Sequence, residues 1–117
     1  MKKEITRLQT NARMSQVVIA GGVVYLAGQV PMTQHATITE QTIEVLKQID
    51  ALLESAGVDK THLLTANIWL SDARYFEEFN RIWDVWVPEG NAPTRACVQS
   101  PLMRAGFDVE IAVTALA

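Results

Sequence analysis

The segment Leu64-Thr65-Ala66-Asn67-Ile68-Trp69-Leu70 alternates with period two, and it lies between two stretches whose apolar residues return every three or four positions. In an extended strand successive side chains point to opposite faces, whereas a helix gathers positions i, i+3 and i+4 into one stripe. The change of period predicts a strand held between two helices. Leu64, Ala66, Ile68 and Leu70 are expected on one face of that strand, with Asn67 and Trp69 on the other. Both faces carry bulk, so a fold that covers only one of them leaves an apolar surface, and contiguous patches of that kind mark interaction sites.

The helical stripe before this strand comprises Ile38, Leu46, Ile49, Leu53 and Ala56. Thr37-Ile38-Thr39-Glu40 fits a capping box at its start, and Gly57 is a natural stop. The stripe after the strand is Phe76, Phe79, Trp83 and Trp86, introduced by the N-cap candidates Ser71-Asp72 and ended by Pro88 and Gly90. Near the N-terminus, Glu4 to Leu8 and Gln16 to Ala20 read as short strands, and Gly21-Gly22 before Val23 to Ala27 is suited to a tight hairpin. The order is read as β-β-α-β-α-β-β. It predicts an α+β fold in which two helices pack on one face of a single-layer mixed sheet. The uncovered face predicts self-association.

A chain of 117 residues, 49% hydrophobic and 20% charged, has room for one domain spanning residues 1–117. Its net charge of −3, with no basic stripe, counts against nucleic acid or an anionic membrane as the main partner. One cysteine, and an N-terminus without an apolar stretch after Lys2-Lys3, make the cytoplasm the default expectation. No apolar run approaches the roughly 18 to 20 residues needed to span a bilayer. His35 and His62 fall in expected loops without the companions of a metal site, so no metal is expected. No phosphate-binding glycine pattern follows any strand, and no nucleotide cofactor is expected.

Two strand-like segments toward the C-terminus carry the chemistry. In Thr94-Arg95-Ala96-Cys97-Val98-Gln99, alternation puts Arg95, Cys97 and Gln99 on one face. In the second, Val109, Ile111 and Val113 bracket Glu110. If the two strands lie close together, Arg95 and Glu110 can line one small cavity. The planar guanidinium of Arg95 suits a small carboxylic acid, which it can hold through two parallel hydrogen bonds. A structural ion pair with Glu110 is the other role open to it. Glu110, if near Arg95, is expected to stay ionised and to hold and deprotonate a water, or else to serve as that structural partner. Cys97 lacks a neighbouring histidine or helix N-terminus to form a thiolate, and it reads as a small residue lining a pocket. Trp69, Trp83 and Trp86 read as core or interface bulk.

The run Pro93-Thr94-Arg95-Ala96-Cys97-Val98, then Met103, then Val109-Glu110-Ile111, resembles the signature of the Rid family (YjgF type), described as enamine/imine deaminases. Gly28-Gln29-Val30-Pro31 is similar to that family's Ser-Gly-Gln-Ile-Pro segment, and Phe79-Asn80 to its hydrophobic-Asn step. Two positions depart from the pattern. Met14 stands where many members have a tyrosine, and Pro101 where a small residue is usual.

The resemblance implies a chorismate-mutase-like fold assembled as a homotrimeric barrel, with a site in each cleft between subunits. It implies a cofactor-independent hydrolysis of 2-imino or enamine acids to 2-keto acids, with Arg95 on the substrate carboxylate and Glu110 and the Cys97 carbonyl holding water. Gly28 would present its N–H to the carboxylate, although a simple turn role is also open to it. Asn80 would lie near the site, or be an ordinary helix-surface amide. Met14 would make the pocket more apolar and favour imino acids larger than 2-iminopropanoate. Two rival readings stand beside this one: a non-catalytic trimer that senses small carboxylic acids, and an RNA-cleaving activity disfavoured by the acidic balance.

Overall fold

The computed structural model describes residues 3–117, so the Met1-Lys2 start lies outside the described residues. Strands β1 (Ile5–Thr10), β2 (Ser15–Ala20) and β3 (Val23–Leu26) form an antiparallel meander. Three strands therefore precede the first helix, one more than in the order read from sequence. Gly21 and Gly22 both have positive φ, +58° and +78°, which is what a two-residue hairpin turn matching strand twist requires.

Helix α1 (Ile38–Ser55) buries Val45, Leu46, Ile49, Leu52 and Leu53 along one stripe. The Thr37 hydroxyl accepts a hydrogen bond from the Glu40 N–H at 3.1 Å, as a capping residue should. Replacing Thr37 with Ala is expected to cost about 1 kcal/mol of unfolding free energy. Urea titration at fixed protein concentration checks this; an unchanged midpoint would show that the cap contributes nothing. At the other end Gly57, at φ +80°, donates its N–H to the Glu54 carbonyl.

Strand β4 (Leu63–Leu70) follows, then helix α2 (Phe76–Trp86), then β5 (Thr94–Gln99) and β6 (Val109–Leu116). The sheet order is β1-β2-β3-β6-β4-β5, with β4 and β5 the parallel pair and α2 as their crossover. One expectation for β4 is corrected. Ala66, Ile68 and Leu70 are buried against the helices, but Leu64 is 41% exposed and Leu63 takes the inward position. An irregularity between Leu63 and Thr65 in the pairing with β6 shifts the alternation by one residue there. The Ser71-Asp72 expectation is also refined. Asp72 caps a one-turn 3-10 helix, Ala73–Tyr75, that leads into α2, while the Ser71 hydroxyl bonds the Asp108 carboxylate.

Both helices pack on one face of the sheet, where Phe79 and Trp83 of α2 and Ile49 and Leu53 of α1 meet Ile68, Ile111 and Val113. This is the α+β arrangement expected. The opposite face has no helix and presents Tyr25, Val98 and Leu116, each roughly half exposed, beside Trp69 and Glu110. Among the described residues no helix is long and apolar enough to cross a membrane.

Candidate functional site

Arg95 lies on β5, at one edge of the sheet, on the face turned toward α2. Its Nη1 donates to the Asn80 Oδ1 at 2.9 Å. Its guanidinium carbon sits 5.4, 5.8 and 6.0 Å from the ring centroids of Trp83, Phe76 and Phe79, within the range of cation–π attraction. The helical spacing of Phe76, Phe79 and Trp83 stacks these rings on one stripe, and Asn80 lies beside it. The sequence reading took Trp83 as bulk and Phe76 and Phe79 as members of the helical stripe. Here they also hold a cation in a fixed orientation while its side chain stays exposed to solvent.

Cys97 shares the Arg95 face and lines a cavity of about 240 Å³ with Leu70, Ala73, Phe76, Val98 and Gln99. Burial pushes the Cys97 thiol up, and the nearby Arg95 only partly opposes it. The sulfur is therefore held as a thiol, which fits a pocket-lining residue better than a nucleophile. Gln99, also in the lining, accepts the Ala73 N–H at 2.6 Å through its Oε1.

Glu110 is elsewhere. Ala66 of β4 is the register partner of both Arg95 and Val113, whereas Glu110 is opposite Trp69. The offset between Val113 and Glu110 is three residues, an odd number, so Arg95 and Glu110 point to opposite faces with β4 between their strands. The expectation that they line one cavity is thus corrected for the single chain, and so is the structural ion pair between them. Among the described residues the ion pair found is Arg74–Asp72. Glu110 was expected to stay ionised beside Arg95. Instead burial raises its pKa above the ordinary carboxylate value, with no cation contributing.

Gly28 is the neighbour of Glu110. The N–H and carbonyl of Gln29 exchange hydrogen bonds with Ile111 at 2.8 and 3.0 Å, which fixes Gly28 over the carboxylate. A Cβ built at Gly28 would fall 2.1 Å from Glu110 Oε2. Glycine here permits the close approach of the Glu110 carboxylate, and its backbone does not need the left-handed conformation that favours glycine.

Met14 follows the turn between β1 and β2, where Asn11 Oδ1 accepts the N–H groups of Arg13 and Met14. It is 39% exposed at the sheet edge opposite β5. Five strand spacings of about 4.8 Å separate the two edges. Pro101 lies exposed in the segment between β5 and β6, and His35 and His62 lie outside the strands and long helices. The six candidate residues therefore fall into three groups: Arg95, Asn80 and Cys97 at one edge; Gly28 and Glu110 on the open face; Met14 at the other edge.

Residues 4–117 match the family described as Endoribonuclease L-PSP. The RutC family protein YoaB of Escherichia coli is 43% identical over 111 residues, covering 95% of this chain and 96% of that protein. A RutC family protein of Haemophilus ducreyi is 40% identical over 111 residues, covering 95% of each. Among solved structures, NMB1025 of Neisseria meningitidis, a member of the YjgF protein family, superposes with a TM-score of 0.93 at 43% identity, covering 97% of this chain and 94% of that one. With the whole described fold and nearly the whole chain matched, the protein belongs to the Endoribonuclease L-PSP family, the RutC, YjgF or Rid group of proteins.

Proposed function

We propose that this chain hydrolyses reactive 2-imino and enamine acids to 2-keto acids and ammonia, without a cofactor, in clefts between the subunits of a homotrimer. The observation that carries the reading is the separation of the site into pieces. Arg95 with Asn80 and Cys97 is at one sheet edge, Glu110 with Gly28 is on the open face, and Met14 is at the far edge. A neighbouring copy packed against the open apolar face would bring one chain's Arg95 to another chain's Glu110. The same contact would cover Tyr25, Val98 and Leu116.

In such a cleft the Arg95 guanidinium holds the substrate carboxylate through two charge-assisted hydrogen bonds, with Asn80 and the three rings fixing its plane. The Gly28 N–H can add a third bond to that carboxylate. Glu110 and the Cys97 carbonyl hold a water against the C=N carbon. The water oxygen bonds to the carbon of the protonated imine while Glu110 takes one proton from that water and the C=N π pair moves onto nitrogen, giving a tetrahedral carbinolamine. Glu110 then returns its proton to nitrogen, and as the C–N bond breaks and ammonia leaves, the hydroxyl gives its proton to the freed Glu110 carboxylate and becomes the keto oxygen. A carboxyl whose pKa burial has raised is suited to both directions of this transfer, and the incoming guanidinium would draw it back toward the ionised form.

The test generates 2-imino acids in situ with an amino acid oxidase and traps them with semicarbazide. Wild type is expected to lower semicarbazone formation, and folded Arg95→Ala is not. If neither protein changes it across several imines, deaminase activity toward them is refuted. Calorimetry with 2-keto acids then tests the non-catalytic sensing of small carboxylic acids. Met14 in a cleft of this kind favours larger or more apolar imino acids, so a strict preference for 2-iminopropanoate would oppose that assignment.

A further inference from the structure

The helical side of the molecule carries a second cavity, of about 410 Å³, between α1 and α2. Its floor is apolar, made of Leu46, Ile82 and Trp86, and its rim carries Ile43 and Val85, 40% and 87% exposed. Ile82 and Val85 lie on a side of α2 away from Phe76 and Phe79, Trp86 borders both sides with its ring 5.3 Å from that of Trp83, and the cavity shares no lining residue with the one beside Cys97. The cavity is therefore separate from the proposed active site, and it lies on the side of the sheet away from the open face.

Three charged groups border it: Lys47, Lys60 and Asp50. The Trp86 indole N–H donates to both carboxylate oxygens of Asp50 at 3.1 Å, so this anion already has a partner. The Lys60 Nζ stands 5.1 Å from the Trp86 ring centroid, over the apolar floor. Neither lysine takes part in an ion pair among the described residues. The two lysines outnumber the one carboxylate, which keeps its charge while it accepts the indole N–H, so the lining groups leave the mouth net positive. An apolar hollow of this size with a few polar groups at its rim is the common form of a small-molecule site.

We propose that the groove between α1 and α2 binds a small amphiphilic anion, with its apolar body on Leu46, Ile82 and Trp86 and its carboxylate between Lys47 and Lys60. This binding is independent of imine hydrolysis and of Arg95. Three probes sharing one eight-carbon chain test it: octanoate, 1-octanol and octylammonium, each titrated below self-association into ¹⁵N-labelled full-length protein. Octanoate is expected to shift the amides of residues 43–50 and 82–86 and to bind more tightly than octanol by up to about fivefold, the upper end of what an exposed ion pair supports. Octylammonium should bind more weakly than octanol.

Lys60→Met should bring the octanoate affinity down toward that of octanol and leave octanol unchanged. Val85→Asp, at an exposed helix position, should weaken both. Arg95→Ala should leave the shifts at residues 43–50 and 82–86 intact, which separates this groove from carboxylate binding at β5. Equal affinities for octanoate and octanol, an unaltered octanoate titration in Lys60→Met, or shifts confined to β5 would each overturn the proposal.

Discussion

Arg95→Ala is expected to lower kcat/KM for 2-imino acids by roughly 10²-fold or more, because two charge-assisted hydrogen bonds at about 1.5 to 3 kcal/mol each are lost. The loss should persist in Arg95→Lys to a large extent. An ammonium keeps the charge but not the planar fork of donors, and it changes the cation–π contacts with Phe76, Phe79 and Trp83. Asn80→Ala should act in the same direction and more weakly, since it releases only the 2.9 Å bond that orients the guanidinium. The semicarbazide competition assay measures all three. Circular dichroism must show each variant folded, because Arg95 also covers aromatic surface. Near wild-type turnover by folded Arg95→Ala would remove the anchor assignment.

Glu110→Gln should be comparably damaging to turnover, by roughly 10²- to 10⁴-fold, since it removes general acid–base transfer while preserving shape and one hydrogen-bonding oxygen. The same substitution should do the reverse to stability. Burial raises the Glu110 pKa, so the folded chain binds that proton more tightly than the unfolded chain. The contribution of the group to stability is fully present below its unfolded value and is lost as pH rises through its folded value. Gln cannot ionise, so in the unassembled chain, where the neighbouring copy's guanidinium is absent, Glu110→Gln should be more stable than wild type near neutrality, with the gap closing in acid. Urea titrations at both pH values, at one protein concentration, decide this. A variant destabilised near neutrality would mean that the ionised carboxylate has a favourable partner in the assembled protein.

Gly28 joins these two effects. Its side-chain-free surface lets the Glu110 carboxylate come within a distance that a Cβ would close, and the displaced atoms are the tip of a flexible side chain rather than backbone. Gly28→Ala should therefore fold, yet move Glu110 and reduce turnover. That loss without a matching fall in stability would mark Gly28 as a positioning residue for the carboxylate.

Where the sequence was legible, local chemistry explains why. The Thr37 cap, the stop at Gly57, the paired glycines at 21 and 22 and the two helical stripes are short-range patterns, and each stands where expected, although of the capping box only the Thr37 half is formed. The slip at Leu64 came from an irregularity in strand pairing, which depends on the partner strand β6 rather than on β4 itself. The aromatic setting of Arg95 had a trace in the sequence, since Phe76, Phe79, Asn80 and Trp83 lie on neighbouring helical positions. What was missing was the knowledge that β5 runs beneath them.

From the sequence alone came the α+β class, the two helices on one sheet face, the residues with chemistry to offer and the resemblance to the Rid family. These follow from periodicity, turn residues and side-chain type, all of which are written within a few neighbouring positions. Only the tertiary structure decided that Arg95 and Glu110 face opposite ways. That outcome depends on the insertion of β4 between β5 and β6 and on a register offset of three residues, and both are set by long-range pairing that no local pattern encodes.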